Sequence, residues 1–294
     1  MKSYYDIAGD GGSRIIEQVG AMQAAIGERL AGVKHRLAIG SGKGGVGKST
    51  LTRQLATALR QRGNACAILD ADINGPTQAR LSGLHDLPLL PGAEGVVLPK
   101  DANGVGVVSL GSWVPESEAV SFDSVSAGDS HTWRATREFT AVAELLGSID
   151  WGQLDYLLFD LPPGAERTFQ FAEFLGSTTS FLLVTVPSDL ARGVVSRSVA
   201  ALRETPNRVL GFVENMDGYW CDECHDVRPL FPRSDRIDLG IPKLGSVPFD
   251  PELAAACDRG ELAVGKDRPW WAAVEKLALT VEETIESKPA ESTE

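Results

Sequence analysis

The sequence predicts a doubly wound α/β domain, a mostly parallel sheet with helices on both faces. Three observations carry this. Continuous apolar runs such as Tyr156–Asp160 and Phe181–Val186 recur along the chain with helical patterns between them. Strands covered on both faces read this way. The run Arg36–Ser41 leads into a glycine-rich stretch, Gly42-Lys-Gly-Gly-Val-Gly-Lys-Ser49, that opens a helix. Two carboxylate-bearing segments, Asp70–Pro76 and Asp160–Gly164, also follow strands, and such sheets bind ligands at the carboxyl ends of their strands.

In chain order, residues 1–12 are polar and Gly-rich and are expected to be poorly ordered. Ser13–Ala31 reads as an amphipathic helix with Ile15, Ile16, Val19, Met22 and Ile26 apolar, packed on the domain or serving a partner. Strands are expected at Leu37–Gly40, Ala65–Asp70, Gly106–Leu110, Tyr156–Asp160, Phe181–Val186, Val209–Glu214 and Leu244–Ser246. Helices are expected at Ser49–Arg62, with Leu51, Leu55 and Leu59 on one face and Gly63 as its stop, at Ala191–Glu204 and at Trp270–Ile285. Val114–His131 is rich in Ser, Asp and Glu and reads as an irregular loop. The organisation is thus an N-terminal segment over 1–35, a domain over 36–285 with a Cys-bearing excursion at about 217–240, and a disordered acidic tail over 286–294.

The chain has 294 residues and is 43% hydrophobic, enough for one large α/β domain or two small ones. A net charge of −12 argues against a nucleic-acid or anionic-membrane partner, since phosphate backbones are held by clustered Lys and Arg. With no long uncharged apolar run, the expectation is a soluble cytoplasmic protein. Cys66, Cys221, Cys224 and Cys257 do not form a disulfide framework in that setting. Cys66 lies in an apolar strand and Cys257 in the helical run Glu252–Asp258, so both read as buried thiols.

The glycine-rich stretch satisfies G-x-x-x-x-G-K-[ST], and the pattern has a mechanism. Gly42, Gly44, Gly45, Val46 and Gly47 supply backbone N–H groups that surround phosphate oxygens. Lys48 reaches the β- and γ-phosphates, Ser49 ligates Mg²⁺, and Thr50 continues the helix whose positive dipole end faces the phosphates. Lys43 is an extra charge with no role inside its own loop. Phosphoryl transfer needs a metal to neutralise charge and a group to orient water. Asp160 suits the Mg²⁺ role through a water, Asp72 is the candidate for positioning the attacking water, and Asp70 is expected nearer the metal. The competing reading makes all three ordinary turn residues.

Cys221-Asp-Glu-Cys224 could grip one metal with two thiolates, but zinc and iron–sulfur sites need about four ligands. Four readings stay open at this point. They are a zinc site recruiting His225 or Cys257, a redox dithiol, a c-type haem attachment through His225, and a two-fold dimer whose two pairs supply four thiolates to a 4Fe–4S cluster.

Lys43–Ser49 resembles the deviant phosphate loop of the ParA/MinD/nitrogenase-iron-protein superfamily. Within it, Asp70–Pro76, Asp160-Leu-Pro-Pro-Gly164, Gly211-Phe-Val-Glu-Asn-Met216, Cys221–Cys224 and Leu244-Gly-Ser-Val-Pro-Phe-Asp250 are similar to the Mrp family of iron–sulfur cluster carrier ATPases, over about residues 33–265. The resemblance implies a P-loop NTPase fold, ATP as nucleotide and a homodimer in which Lys43 reaches into the partner's site. It also implies adenine contact by Asn215 and switch positions at Asp72 and Asp160. It favours a 4Fe–4S cluster bridging the dimer through Cys221 and Cys224, with cluster donors and apo iron–sulfur proteins as partners and slow ATP hydrolysis. The alternative is a regulatory switch of the ParA/MinD type with structural zinc or no metal. The chain departs from the family at Ala165-Glu-Arg-Thr168, where small residues and an Asp are usual, and in a longer Val114–His131 segment.

Overall fold

The computed structural model describes residues 24–113, 131–231, 238–261 and 267–287, excepting the side chains of 131–137. Of the expected N-terminal helix, 24–29 is helical, and residues 1–23 lie outside the described residues. The expected loop over 114–131 also lies outside them, except that His131 begins a helix. Glu286, placed in the acidic tail by the sequence, ends the last helix, and 288–294 lie outside the described residues.

The main sheet has eight strands. Seven run in the order β10-β8-β7-β1-β6-β2-β4, and β9 pairs with β8 alone. They are β1 (Val33–Ser41), β2 (Cys66–Asp70), β4 (Gly106–Val108), β6 (Leu154–Asp160), β7 (Thr179–Thr185), β8 (Val209–Cys221), β9 (Asp226–Arg228) and β10 (Lys243–Phe249). All neighbours are parallel except β8 and β9. A separate parallel pair joins β3 (Val96–Val97) to β5 (Ile149–Asp150). The doubly wound expectation therefore holds. Between the strands run α1 (Lys48–Gln61), α2 (Gln78–Leu81), α3 (His131–Ser148), α4 (Ala165–Leu175) and α5 (Asp189–Leu202), and after β10 come α6 (Pro251–Asp258) and α7 (Pro269–Glu286).

Period-two alternation along β1 sorts the core. Leu37 and Ile39 join one buried cluster with Leu55, Leu59, Ile68 and Trp270. Ala38 joins the opposite cluster with Leu69, Phe139, Phe171 and Phe174. α1 packs against α7 on the first face, with Leu51, Leu55 and Leu59 buried as their spacing predicts. Full burial of each such side chain contributes about 1.5–3 kcal/mol, so the two faces hold the sheet between them. The start and end signals are local. Gly63, at φ 99°, ends α1; Ser188 caps α5 by accepting from Ala191 N at 3.3 Å; Asp250 caps α6.

One polar pair is sealed inside this frame. Arg53, on α1 and 1% exposed, is ion-paired with the buried Asp101, which also accepts from Asn103 N and Val105 N. Removing one member of such a pair strands the other charge. Asp101→Ala is therefore expected to lower unfolding stability by about 3–5 kcal/mol, measured as a shift of the urea midpoint at constant slope. A loss below about 1 kcal/mol would mean that Arg53 finds water in the folded state.

Candidate nucleotide and thiol site

β1 delivers the glycine-rich loop to the carboxyl edge of the sheet beside β6 and β7. Gly45 and Gly47 have φ of 77° and 75°, a region that costs glycine little. A Cβ at Gly47 would also overlap the Asn215 side-chain amide. Lys48 opens α1, and its ammonium forms a buried ion pair with Asp160 and lies 3.3 Å from Ser49 Oγ. Asp160 Oδ2 accepts from Gln78 Nε2 at 2.8 Å, and Thr52 Oγ1 stands 3.5 Å from Oδ1. Gln78 Nε2 also donates to Ser49 O at 3.0 Å. Lys48, Ser49 and Asp160 are thus brought together. Lys43 is half-buried at the start of the loop, and its carbonyl accepts from Ser41 Oγ at 3.1 Å.

Asp70 has a different place from the one expected. Its Oδ2 accepts from Thr77 N at 2.8 Å, Gln78 N at 2.9 Å and Ser109 Oγ at 3.0 Å, and its Oδ1 from Asp72 N at 3.3 Å. These bonds engage both oxygens in folding the 70–78 turn. Asp70 and Asp160 are register partners on adjacent strands. Burial, and then the Asp160 charge, push the Asp70 carboxyl up to about 7 against those hydrogen bonds and Lys48. Asp72 is half-buried within this turn. Burial raises its carboxyl above the usual range, and Lys48 opposes that rise.

Beside the loop lies a cleft of about 130 Å³ lined by Leu51, Asn215, Met216, Phe249, Leu253 and Trp270, among others. Its wall is mostly apolar, with the Asn215 amide at one side. A slot of this kind suits a flat heteroaromatic ring that also offers hydrogen-bonding edges. Asn215 Nδ2 donates to Val46 O at 2.9 Å, tying the cleft to the phosphate loop.

The cysteine pair sits at a hairpin tip. The sequence placed the strand's end at Glu214 and an irregular excursion after it. Instead β8 continues to Cys221 and pairs back with β9, Tyr219 opposite Arg228 and Cys221 opposite Asp226. A three-residue polar strand gives too little alternation to be recognised in advance. Between the pairs Val247–Asn215 and Phe249–Tyr219, β8 uses four residue steps where β10 uses two. This bulge contains Met216 at φ 57° and Gly218 at φ 92°. A Cβ at Gly218 would come within 2.6 Å of Val227 Cγ1, so glycine lets the hairpin close. Cys221 is half-buried and Cys224 exposed, and Arg228 Nε donates to Cys224 Sγ at 3.3 Å. No group of three or more His, Cys, Asp or Glu side chains able to hold a metal occurs among the described residues. Among the described residues, neither His225 nor Cys257 joins the cysteine pair in such a group.

Gln78, Ser109 and Arg228 went unrecognised in the sequence, since none stands in a spacing that carries a motif. The Ala165-Glu166-Arg167 departure does acquire a structural partner. Arg167 Nη2 lies 2.5 Å from Glu138 Oε2, and Glu138 Oε1 accepts from Asn74 Nδ2 at 2.5 Å. The segments after β2 and β6 are thereby joined through α3.

Sheet order, glycine loop and the buried Lys48–Asp160–Gln78 cluster define a phosphate-loop nucleotide-binding α/β protein. Residues 32–282 match the family described as ParA: NUBPL iron-transfer P-loop NTPase, and the chain belongs to that family. It is 30% identical to the iron-sulfur cluster carrier protein of Saccharolobus solfataricus, over 84% of this chain and 82% of the relative. It is 33% identical to the human cytosolic Fe-S cluster assembly factor NUBP2, over 89% and 96% respectively. Among solved structures, a nucleotide-binding protein from Archaeoglobus fulgidus in complex with ADP superposes with a TM-score of 0.68 at 30% identity, covering 85% of this chain and 95% of the other. The cell division ATPase MinD of Pyrococcus furiosus shares the fold, with a TM-score of 0.58 at 22% identity, over 85% and 99%. No helix among the described residues is long and apolar enough to cross a membrane.

The thiols differ in a testable way. Hydrogen bonds from Cys221 and then Arg228 lower the Cys224 thiol below its ordinary range. Burial pushes Cys66 up to about 12 and raises Cys257. Lowering enriches the reactive thiolate at neutral pH and raising depletes it. Iodoacetamide at pH 7.5, followed by peptide mass spectrometry, should label Cys224 first and leave Cys66 and Cys257 unmodified until the protein unfolds. Labelling of Cys66 at a rate comparable to Cys224 in the folded protein would contradict this ordering.

Proposed function

We propose that the chain is an ATP-binding and hydrolysing carrier that holds an iron–sulfur cluster between two copies of itself and passes it to apoproteins in the cytoplasm. The observation that carries the reading is the incomplete ligand set. Cys221 and Cys224 are presented together at a hairpin tip, and no third metal ligand accompanies them among the described residues. Family membership supports iron–sulfur cargo, and two-fold symmetry supplies the missing thiolates. The cluster is a substrate here, held through four thiolates and released when their spacing changes.

In this reading Gly42–Thr50 hold the triphosphate, Lys48 contacts the β- and γ-phosphates, and Asn215 reads the base in the neighbouring cleft. The residues present fit Mg²⁺. The Ser49 hydroxyl and the fully buried Asp160 carboxylate converge on the N-terminus of α1, with Lys48 between them. Ser49 would ligate the ion directly and Asp160 through a water, and the ion would supply neutralisation of phosphate charge. Asp70 instead shapes the turn that presents Asp72, the residue proposed to orient the attacking water. Lys43 completes the opposite site of the dimer.

Anaerobic reconstitution with iron and sulfide should give visible cluster absorbance and about four iron atoms per two chains, and Cys221→Ser and Cys224→Ser should each abolish it. Stoichiometric zinc with no cluster formed would favour a regulatory switch instead. Lys43→Ala should reduce ATP turnover by about a thousandfold, the scale of a charge supplied in trans to phosphoryl transfer, while ATP binding persists. Unchanged turnover would return Lys43 to the surface.

A further inference from the structure

A guanidinium joins the cysteine hairpin to the wall of the base cleft. Arg268, at the N-cap of α7, lies between three carboxylates. Its Nη2 is 3.0 Å from Asp222 Oδ1 and 2.9 Å from Glu252 Oε2, and its Nη1 is 3.1 Å from Asp250 Oδ2. Asp222 stands between Cys221 and Cys224 and also accepts from Trp220 Nε1 at 2.9 Å. Asp250 lines the cleft and caps α6, accepting from Glu252 N at 2.8 Å and Leu253 N at 3.2 Å. Leu253, Ala254 and Trp270 of the helices flanking Arg268 line the same cleft.

The two ends of this bridge differ in strength. The Asp250 side chain is 0% exposed and that of Arg268 15%, so their pair is shielded from water. The Asp222 side chain is 60% exposed, and an ion pair that open to solvent is worth little alone. Arg268 is therefore fixed to the cleft wall, and Asp222 is the end that can let go. One cation facing three anions also leaves excess negative charge. A small displacement of α6 or α7 then carries Arg268 along with Asp250 and breaks its contact with the exposed Asp222 at low cost.

We propose that Arg268 is a positioning residue that transmits occupancy of the base cleft to the Cys221/Cys224 turn. The consequence for cargo rests on the carrier reading, whereas the transmission itself does not. Hydrogen exchange of backbone amides over 219–228 tests it in the full chain, with and without saturating ATP, for the wild type, Arg268→Ala, Arg268→Lys and Asp222→Asn. Asp222→Asn alters only an exposed side chain, so it reads the bridge even if Arg268→Ala loses stability. In the wild type ATP should change exchange of the turn by about fivefold or more, within the usual range of coupling between sites. Arg268→Ala and Asp222→Asn should each remove that difference, Arg268→Lys should restore part of it, and the double variant should be no worse than either single one. A full ATP effect in Arg268→Ala, or none in the wild type, overturns the proposal. Release of iron to a chelator from the reconstituted dimer should follow the same pattern. If no cluster forms but exchange still depends on ATP and Arg268, the carrier reading falls and the transmission stands.

Discussion

The ion pair between Lys48 and Asp160 is the contact on which the site's geometry depends. Both side chains are nearly excluded from water, where an unpaired charge costs several kcal/mol. The pair forms because β1 and β6 are parallel neighbours, with Ile39 beside Asp160, and the glycine-rich loop after β1 brings Lys48, at the start of α1, back over the end of β6. Gln78 and Thr52 surround Asp160, and Gln78 also holds the Ser49 carbonyl. The phosphate loop, the turn after β2 and the end of β6 are therefore one polar unit. The neighbouring Asp70 bears part of the cost, since its carboxyl is pushed up chiefly by burial and then by the Asp160 charge. In the proposed function an arriving phosphate gives Lys48 a second anion, and Asp160 can then turn towards a cation beside Ser49.

Elements whose burial is two-sided were legible in the sequence. Tyr156–Asp160 and Phe181–Val186 are continuous apolar runs because both faces of the sheet are covered, and the strands lie within a residue or two of the expected ends. The phosphate loop was legible because its chemistry fixes residue types at fixed spacings. The hairpin was not. β8 bends across Met216 and Gly218 without ending there, and β9 is only three residues long and mostly exposed, so periodicity did not announce them and Asp217-Gly218 read as the start of an excursion. The donors that hold Asp70 were illegible for a related reason. A carboxylate at the end of a strand looks the same in sequence whether it faces a metal or ties down the next turn, and only its four donors distinguish the two. Gln78 and Arg268 act through partners far away in the chain, and such pairings leave no local pattern.

The bend in β8 also sets a mechanical scale. Met216 lies in the wall of the cleft beside the phosphate loop and on the strand that ends at Cys221. Beyond the bend the hairpin is an arm of about 16 Å, taking about 3.3 Å for each residue step. A rotation of about 5° at such a pivot carries the tip through about 1.4 Å, many times the tolerance of about 0.2 Å in a metal–ligand distance. A cleft wall and a thiol pair placed at the two ends of so short a lever need no domain rearrangement to affect one another. In the proposed function, a change of a few degrees at the fulcrum is enough to separate a gripping geometry from a releasing one.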